Sequence, residues 1–208
     1  SQSLPMIRKA DRKLSIFDAQ DFLASHYQGT PYDPVGNGTL AERKKFRPVS
    51  LAKTQESHLL QLRPNQPQEL TGIHWLAMGV AAESTYVPFF SQTQRIPIEY
   101  QNGTHQFSPD SAYWIFKLAG ILNDAHYAKF NPQLEAVQGR LRISDLNAIQ
   151  SVDRIAKRLN HSQRIKLATQ VSMNNANLAL KSYQKLIRRF ITQAADLSPL
   201  NYHQNVNL

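Results

Sequence analysis

Apolar and polar positions divide the chain into three zones with different periods. Ser15 and Asp18 stand at the spacing of a capping box, with Asp in place of the usual Glu, and predict a short helix from there. Residues 29–55 contain prolines and glycines in quick succession and predict a loop. Residues 56–107 have strand patterns, and residues 108–197 have helical ones. The sequence therefore predicts an α+β fold.

Two segments have the clearest strand patterns. Residues 57–63 alternate between two faces, one carrying His58, Leu60 and Leu62, the other Leu59, Gln61 and Arg63. Residues 73–78 are apolar on both faces, which is typical of a strand covered from both sides.

Shorter β-like runs follow these strands. STYVPFFS at 84–91 and RIPIEYQ at 95–101 each contain a proline, which predicts edge strands or bulges. A turn sequence, QNGT at 101–104, predicts that Ile98 to Tyr100 pair in a hairpin with the residues after Thr104.

The C-terminal zone predicts three helices. The first begins at Ser108-Pro109-Asp110 and ends near Phe130, before Asn131-Pro132. A second carries an apolar stripe from Ile143 to Leu159, and a third runs from about Ser162 to Ala195.

Composition and charge narrow the class of protein. The chain has 208 residues, 41% of them hydrophobic and 19% charged, which is ordinary for a globular domain. No apolar run approaches the roughly 18–20 residues that span a bilayer, so we expect no membrane partner. The N-terminal residues lack the apolar region of a signal peptide, and we expect a cytoplasmic protein.

The net charge is +9, which raises the possibility of a nucleic-acid partner. The basic residues are mostly dispersed, and the two tightest groups, at 43–47 and 185–189, lie in no nucleic-acid motif. We therefore expect no nucleic-acid binding and keep it as a third hypothesis.

Candidate chemistry is sparse. The chain has no cysteine, no GxSxG, no P-loop and no GxGxxG. It has seven histidines but no HxxxH or HExxH grouping, and on that ground we predict no metal site. Glu56 and His58 alternate on one predicted strand, so both face the same side. They either orient a substrate, stabilise a neighbouring loop or form an ordinary buried hydrogen-bonding pair. No residue is predicted to be catalytic.

Several motifs together resemble a known family. They are YxxTPYDPxGxG (27–38), FRP (46–48), QExHxLQxR (55–63) and GIHWLAxG (72–79), followed by VPFF (87–90) and YW (113–114). In this order and separation they resemble the C-terminal half of the dipeptidase A family, which are cysteine peptidases of the N-terminal-nucleophile hydrolase superfamily.

The resemblance implies both a fold and a reaction. The fold is an αββα sandwich, to which residues 1–208 contribute a single C-terminal portion with the later strands and the long helices. The activity is dipeptide hydrolysis without a cofactor, through an N-terminal cysteine whose own α-amino group is the general base. That cysteine belongs to the first half of the family, so we expect this chain to be inactive alone.

The resemblance also implies partners and site residues. We expect the chain to bind the missing N-terminal half, or to self-associate as a homo-oligomer, because half a sandwich leaves a sheet edge and an apolar face uncovered. Arg47, Glu56 and His58 are the expected substrate-binding or site-lining residues, although Arg47 is as well explained by a structural ion pair. The alternative is a catalytically dead, stand-alone binding or structural protein of the same fold.

Overall fold

The computed structural model describes residues 7–198 and combines a small antiparallel sheet with long helices. The strands are β1 (Glu56–Leu62), β2 (Gly72–Met78) and β3 (Val87–Phe90). The helices are α1 (Ile16–Leu23), α2 (Leu40–Arg43), α3 (Ala112–Ala125), α4 (Tyr127–Ala156) and α5 (His161–Asp196). The predicted mixture of helix and sheet is confirmed, and no helix among these residues is long and apolar enough to cross a membrane.

Two helices begin where local side-chain chemistry predicts. The Ser15 hydroxyl accepts the Asp18 backbone N–H while the Asp18 carboxylate accepts the Ser15 N–H, so the predicted capping box starts α1. Asn160 and Gln163 form the same reciprocal pair at the start of α5. The predicted third helix, 162–195, is therefore confirmed within one residue at each end.

The three strands lie in the order β1-β2-β3, and both pairs are antiparallel. Because partners opposite each other share a face, the register defines two surfaces. We call the first the Trp75 face; it consists of Ser57, Leu59, Gln61, Ile73, Trp75 and Ala77. We call the second the His58 face; it consists of Glu56, His58, Leu60, Leu62, Gly72, His74, Leu76 and Met78.

Helices cover the two faces unequally. The Trp75 face packs against α1, α4 and the start of α5, with Ile149, Val152 and Ala168 in the same buried cluster. On the other side of the sheet, Val87 and Phe89 of β3 enter a second cluster with α3, α4 and α5. This second cluster ends before β1, where Leu60 and Leu62 remain 73% and 78% exposed.

The prediction that β2 is covered on both sides holds for one side. Ile73, Trp75 and Ala77 are buried, whereas the alternate residues of β2 are only half-buried. The alternation predicted for β1 is confirmed, with its His58 face towards solvent.

The predicted hairpin after residue 98 is wrong. Ile98–Tyr100 is a short 3-10 helix that follows Pro97, and no strand forms in residues 101–111. Tyr100 is drawn into the core instead, where its ring meets Phe89 edge to face at 5.3 Å between centroids. Burial of this aromatic ring outweighs the strand pairing that the turn sequence favours.

The predicted helix end at Phe130 is also wrong. The break occurs at His126, whose φ of −141° is not helical, and α4 then runs through Pro132. Pro132 lies in the second turn, so it removes a single backbone N–H from the ladder. Phe130 is fully buried and stacks on Phe190 of α5 at 4.4 Å, which holds this turn in place.

Asp145 is an acid on the core-facing side of α4. Burial raises its pKa to about 8, far above the value of about 3.9 for an unfolded aspartate. Between these two values the folded chain holds a proton that the unfolded chain has released. The stability that protonated Asp145 contributes is therefore fully present below about pH 4 and is lost as the pH rises towards 8. Over this range the free energy of unfolding falls by at most about 1.4 kcal/mol per pH unit.

We predict that Asp145→Asn reduces the loss of stability between pH 5 and pH 8, because asparagine does not titrate. Urea unfolding at several pH values measures this change. Asp11→Asn, at a fully solvent-facing carboxylate, is the matched control and should keep the wild-type slope. A wild-type free energy of unfolding that rises between pH 5 and 8 would contradict the burial argument.

Candidate functional site

The start of β1 and the end of β2 meet at the polar cluster seen in the sequence. Gly79 ends β2 with a φ of +85°, a conformation that favours glycine, and its N–H donates to the Gln55 carbonyl at 2.7 Å. This bond fixes the register in which Glu56 lies opposite Met78.

Glu56 and His58 form a hydrogen-bonded pair, but the pair is exposed rather than buried as one sequence hypothesis had it. The Glu56 carboxylate lies 2.5 Å from Nδ1 of His58, and the two side chains are 42% and 50% exposed. The pair is therefore a surface feature of this chain.

A third group, His74, joins them from the neighbouring strand. Its ring meets that of His58 edge to face at 5.3 Å, and one ligand atom from each of Glu56, His58 and His74 lies within 4.8 Å of the others. Burial, and secondly the charge of His58, lower the pKa of His74. We call these three residues the β1–β2 cluster.

Sequence spacing missed His74 because the contact crosses strands. Leu60 lies opposite His74 in the register, so His58 is its diagonal neighbour on the same face. His74 could have been identified by extending the alternation of faces from β1 to β2.

Arg47 is not part of the β1–β2 cluster. It is exposed, and its backbone carbonyl accepts a hydrogen bond from the Tyr27 hydroxyl at 3.1 Å. The structure thus brings together two of the three predicted site residues and places Arg47 in the loop before β1.

That loop, residues 29–55, is held down by polar contacts. Nδ1 of His26 lies 3.0 Å from the buried carboxylate of Asp33, which also accepts the Val35 N–H. Further along, the Ser50 hydroxyl accepts the Ala82 N–H at 3.0 Å. The loop is therefore packed against the segment that follows β2.

A cleft of about 310 Å³ lies between the loop and that segment. It is lined mostly by apolar groups, with the carboxyls of Glu83 and Asp124 among its walls, and we call it the apolar cleft. A second cleft of about 220 Å³ adjoins it and shares His26, Ala82 and Asn131 with it. The walls of this second cleft also contain Trp75 and Arg142.

Glu83 is the most perturbed acid of the apolar cleft. Burial, and secondly the neighbouring Asp124, raise its pKa to about 8. Its carboxyl lies so close to the backbone of α3 at Gly120 that a β-carbon there would overlap it. The sequence analysis did not identify Glu83 and Asp124. Glu83 could have been found as an acid that stands between two apolar runs, in VAAES at 80–84.

Two helices hold Glu83 in position. The Tyr183 hydroxyl of α5 donates to the Glu83 carbonyl at 3.0 Å, and the Gln138 amide of α4 donates to the carbonyls of Ala82 and Ser84. Such fixed, proton-retaining carboxyls occur at functional sites and also in structural networks. The cleft can accept a small ligand with an apolar body and a hydrogen-bonding head.

Sequence comparison shows which known proteins this chain resembles. The model of peptidase family C69 matches residues 1–140. A probable dipeptidase of Latilactobacillus sakei is 32% identical over 208 residues, which are 100% of this chain and 44% of that protein.

Two further similar proteins are also named as dipeptidases. Dipeptidase A of Lactobacillus helveticus is 29% identical over 203 residues, or 97% of this chain and 42% of that protein. Probable dipeptidase A of Streptococcus pyogenes serotype M3 (strain SSI-1) is 39% identical over 136 residues, or 65% of this chain and 29% of that protein. The chain thus spans less than half the length of these curated relatives.

The motifs that suggested dipeptidase A, in residues 27–114, fall inside the segment that the family model matches. That resemblance is confirmed, and the chain belongs to peptidase family C69.

Proposed function

We propose that this chain is the C-terminal portion of a dipeptidase that hydrolyses dipeptides through an N-terminal cysteine located outside it. The observation that carries the proposal is the coverage: all of this chain aligns with a probable dipeptidase, yet it accounts for 44% of that protein. The 208 residues include no cysteine to act as the nucleophile.

In the proposed mechanism, the N-terminal portion outside this chain supplies the nucleophile, and this chain supplies walls of the site. The α-amino group takes the proton of the cysteine thiol, and the resulting thiolate attacks the peptide carbonyl. The ammonium donates that proton to the leaving amine, and water hydrolyses the thioester of the acyl-enzyme, which releases the second product and restores the thiol. An α-amine has a pKa near 8, which suits both proton transfers at neutral pH. No cofactor enters these steps. This chain supplies walls of the site, for which Arg47, Glu56 and His58 are the proposed residues.

The proposed fold of the whole enzyme is the αββα sandwich. In that fold a second sheet covers one face of the first sheet. We propose that here it covers the β1 side of the His58 face, which the helices packed against β3 leave open. The exposed Leu60 and Leu62 on the His58 face support this assignment, because large apolar side chains on a sheet normally lie beneath another layer. Residues 1–208 then form one portion of a single larger domain.

An alternative function rests on the helical half. The cluster that includes Phe116, Phe130 and Phe190 is fully buried with the residues of this chain alone. A protein with such a core can fold by itself and serve as an inactive binding or structural protein of the same fold.

A dipeptidase assay separates these two functions. We expect no turnover of a dipeptide panel by the purified chain, and turnover when it is co-expressed with the portion of the Latilactobacillus sakei relative that it does not match. Replacing the cysteine of that portion by alanine is the control and should abolish the activity. Turnover by the chain alone would contradict the proposal, and co-expression without binding or turnover would favour the inactive protein.

We also propose that the isolated chain self-associates through the His58 face. Burying each exposed leucine contributes roughly 1.5–3 kcal/mol. Light scattering should therefore show a mass that increases with protein concentration, and the double variant Leu60→Gln, Leu62→Gln should shift it towards the monomer. Leu40→Gln with Leu178→Gln, at exposed leucines of α2 and α5, is the matched control. A wild-type monomer over the whole concentration range would count against an uncovered sheet face.

Arg47 is proposed to bind the substrate carboxylate in the complete enzyme. Arg47→Lys keeps the charge but loses the two parallel N–H donors, so we expect kcat/KM to fall by an amount equivalent to about 1–3 kcal/mol with little change in Tm. Arg95→Lys, at another exposed arginine, is the control. Unchanged kinetics with a lowered Tm would instead assign Arg47 a structural role in the loop.

A further inference from the structure

We propose that Glu56, His58 and His74 form a binding site for a divalent transition-metal ion of the zinc class. The three side chains already converge, with one ligand atom of each within 4.8 Å of the other two. This inference concerns metal binding by the chain itself and does not rest on the cysteine chemistry proposed above, although Glu56 and His58 are also proposed there to line the site.

The backbone explains why these three side chains meet. Glu56 and His58 are two residues apart on β1 and therefore point to the same side of the sheet. The register with β2 places His74 diagonally beside His58 on that side. Close-spaced histidine pairs are absent from the sequence, and on that ground we predicted no metal site; strand pairing provides the proximity that spacing along the chain does not.

The required rearrangement is small. Zinc binds imidazole nitrogens and carboxylate oxygens at about 2.0–2.2 Å, so ligand atoms in a tetrahedral shell lie roughly 3.3 Å apart. The ligand atoms of the cluster lie within 4.8 Å of one another, so each pair has to approach by at most about 1.5 Å. The proton now shared by Glu56 and His58 would leave as the metal takes its place.

The donor set indicates the class of ion. Two imidazoles and one carboxylate suit Zn²⁺, Co²⁺ or Ni²⁺, whereas Mg²⁺ and Ca²⁺ prefer six or more oxygen ligands. Three protein ligands leave a fourth position for water. Half of the His58 side chain is exposed, so an ion can enter from solvent without opening the fold.

The surroundings favour binding as well. Leu60 lies directly opposite His74 and is largely exposed, so one wall of the cluster is apolar. Leu60 offers no polar atom that competes for the ion. Glu56 is the charged ligand of the cluster, and its negative charge is the reason that a cation is preferred here over an anion.

Isothermal titration of the metal-free 208-residue chain with Zn²⁺ tests the proposal at about pH 7.5, where imidazoles of ordinary pKa are neutral. We expect one ion bound per cluster. Glu56→Gln, His58→Gln and His74→Gln should each weaken the affinity by about tenfold or more, since even the partners of metal ligands account for about 10–100-fold. His105→Gln, at an exposed histidine outside the cluster, is the matched control and should leave it unchanged.

A second variant gives a direct spectroscopic test. His58→Cys introduces the only cysteine in the chain, so Co²⁺ bound at the cluster should show a thiolate-to-cobalt charge-transfer band that wild type lacks. Far-UV circular dichroism verifies that each variant is folded. Zn²⁺ uptake that none of the three glutamine variants weakens, or a folded His58→Cys chain without this band, would overturn the proposal. The dipeptidase assay is not involved, so this result stands apart from the proposed hydrolysis.

Discussion

The three-stranded sheet depends on the way α5 closes one of its edges. β3 pairs with β2 on one side only, so its outward backbone groups need other partners. The Phe90 N–H donates to the Ser172 hydroxyl in a buried position, and just past the strand the Gln94 N–H donates to Thr169. Pro88 has no N–H to satisfy. With this edge closed by side chains of α5, further strands can be added only at β1.

The same arrangement separates the two regions of possible chemistry. Trp75 lies in the wall of one cleft, whereas the β1–β2 cluster lies on the opposite face of the same sheet. Glu83 lies beyond the end of β2, against α3, and Asp124 belongs to α3 itself. A ligand held by Glu83 and one held by His58 therefore occupy different sites, and in this chain the two sets of residues do not form one catalytic constellation.

Local signals in the sequence predicted the elements that local chemistry determines. Ser15 accepts a hydrogen bond from Asp18, three positions later, so the start of α1 was predicted from the sequence. The same kind of bond at Asn160 was not predicted, although the start of α5 was placed within one residue. The alternation in β1 was visible for the same reason. The burial of Tyr100 could not be predicted in this way. Its ring packs against Phe89 and Phe116, which are distant in the sequence. Likewise, His74 joins Glu56 and His58 only through the strand register, and the clefts form where distant segments meet.

The position of α5 at the far end of the sequence has a consequence for synthesis on the ribosome. The hydroxyl of Ser172 follows the amide of Phe90, which it satisfies, by 82 residues. At about 5–20 residues per second, this separation corresponds to a delay of roughly 4–16 s during which the emerged strands lack their final cover. The nascent sheet then exposes an open edge and aromatic side chains, which is the state that chaperones bind. The sheet is therefore most open to aggregation in the interval before Ser172 emerges.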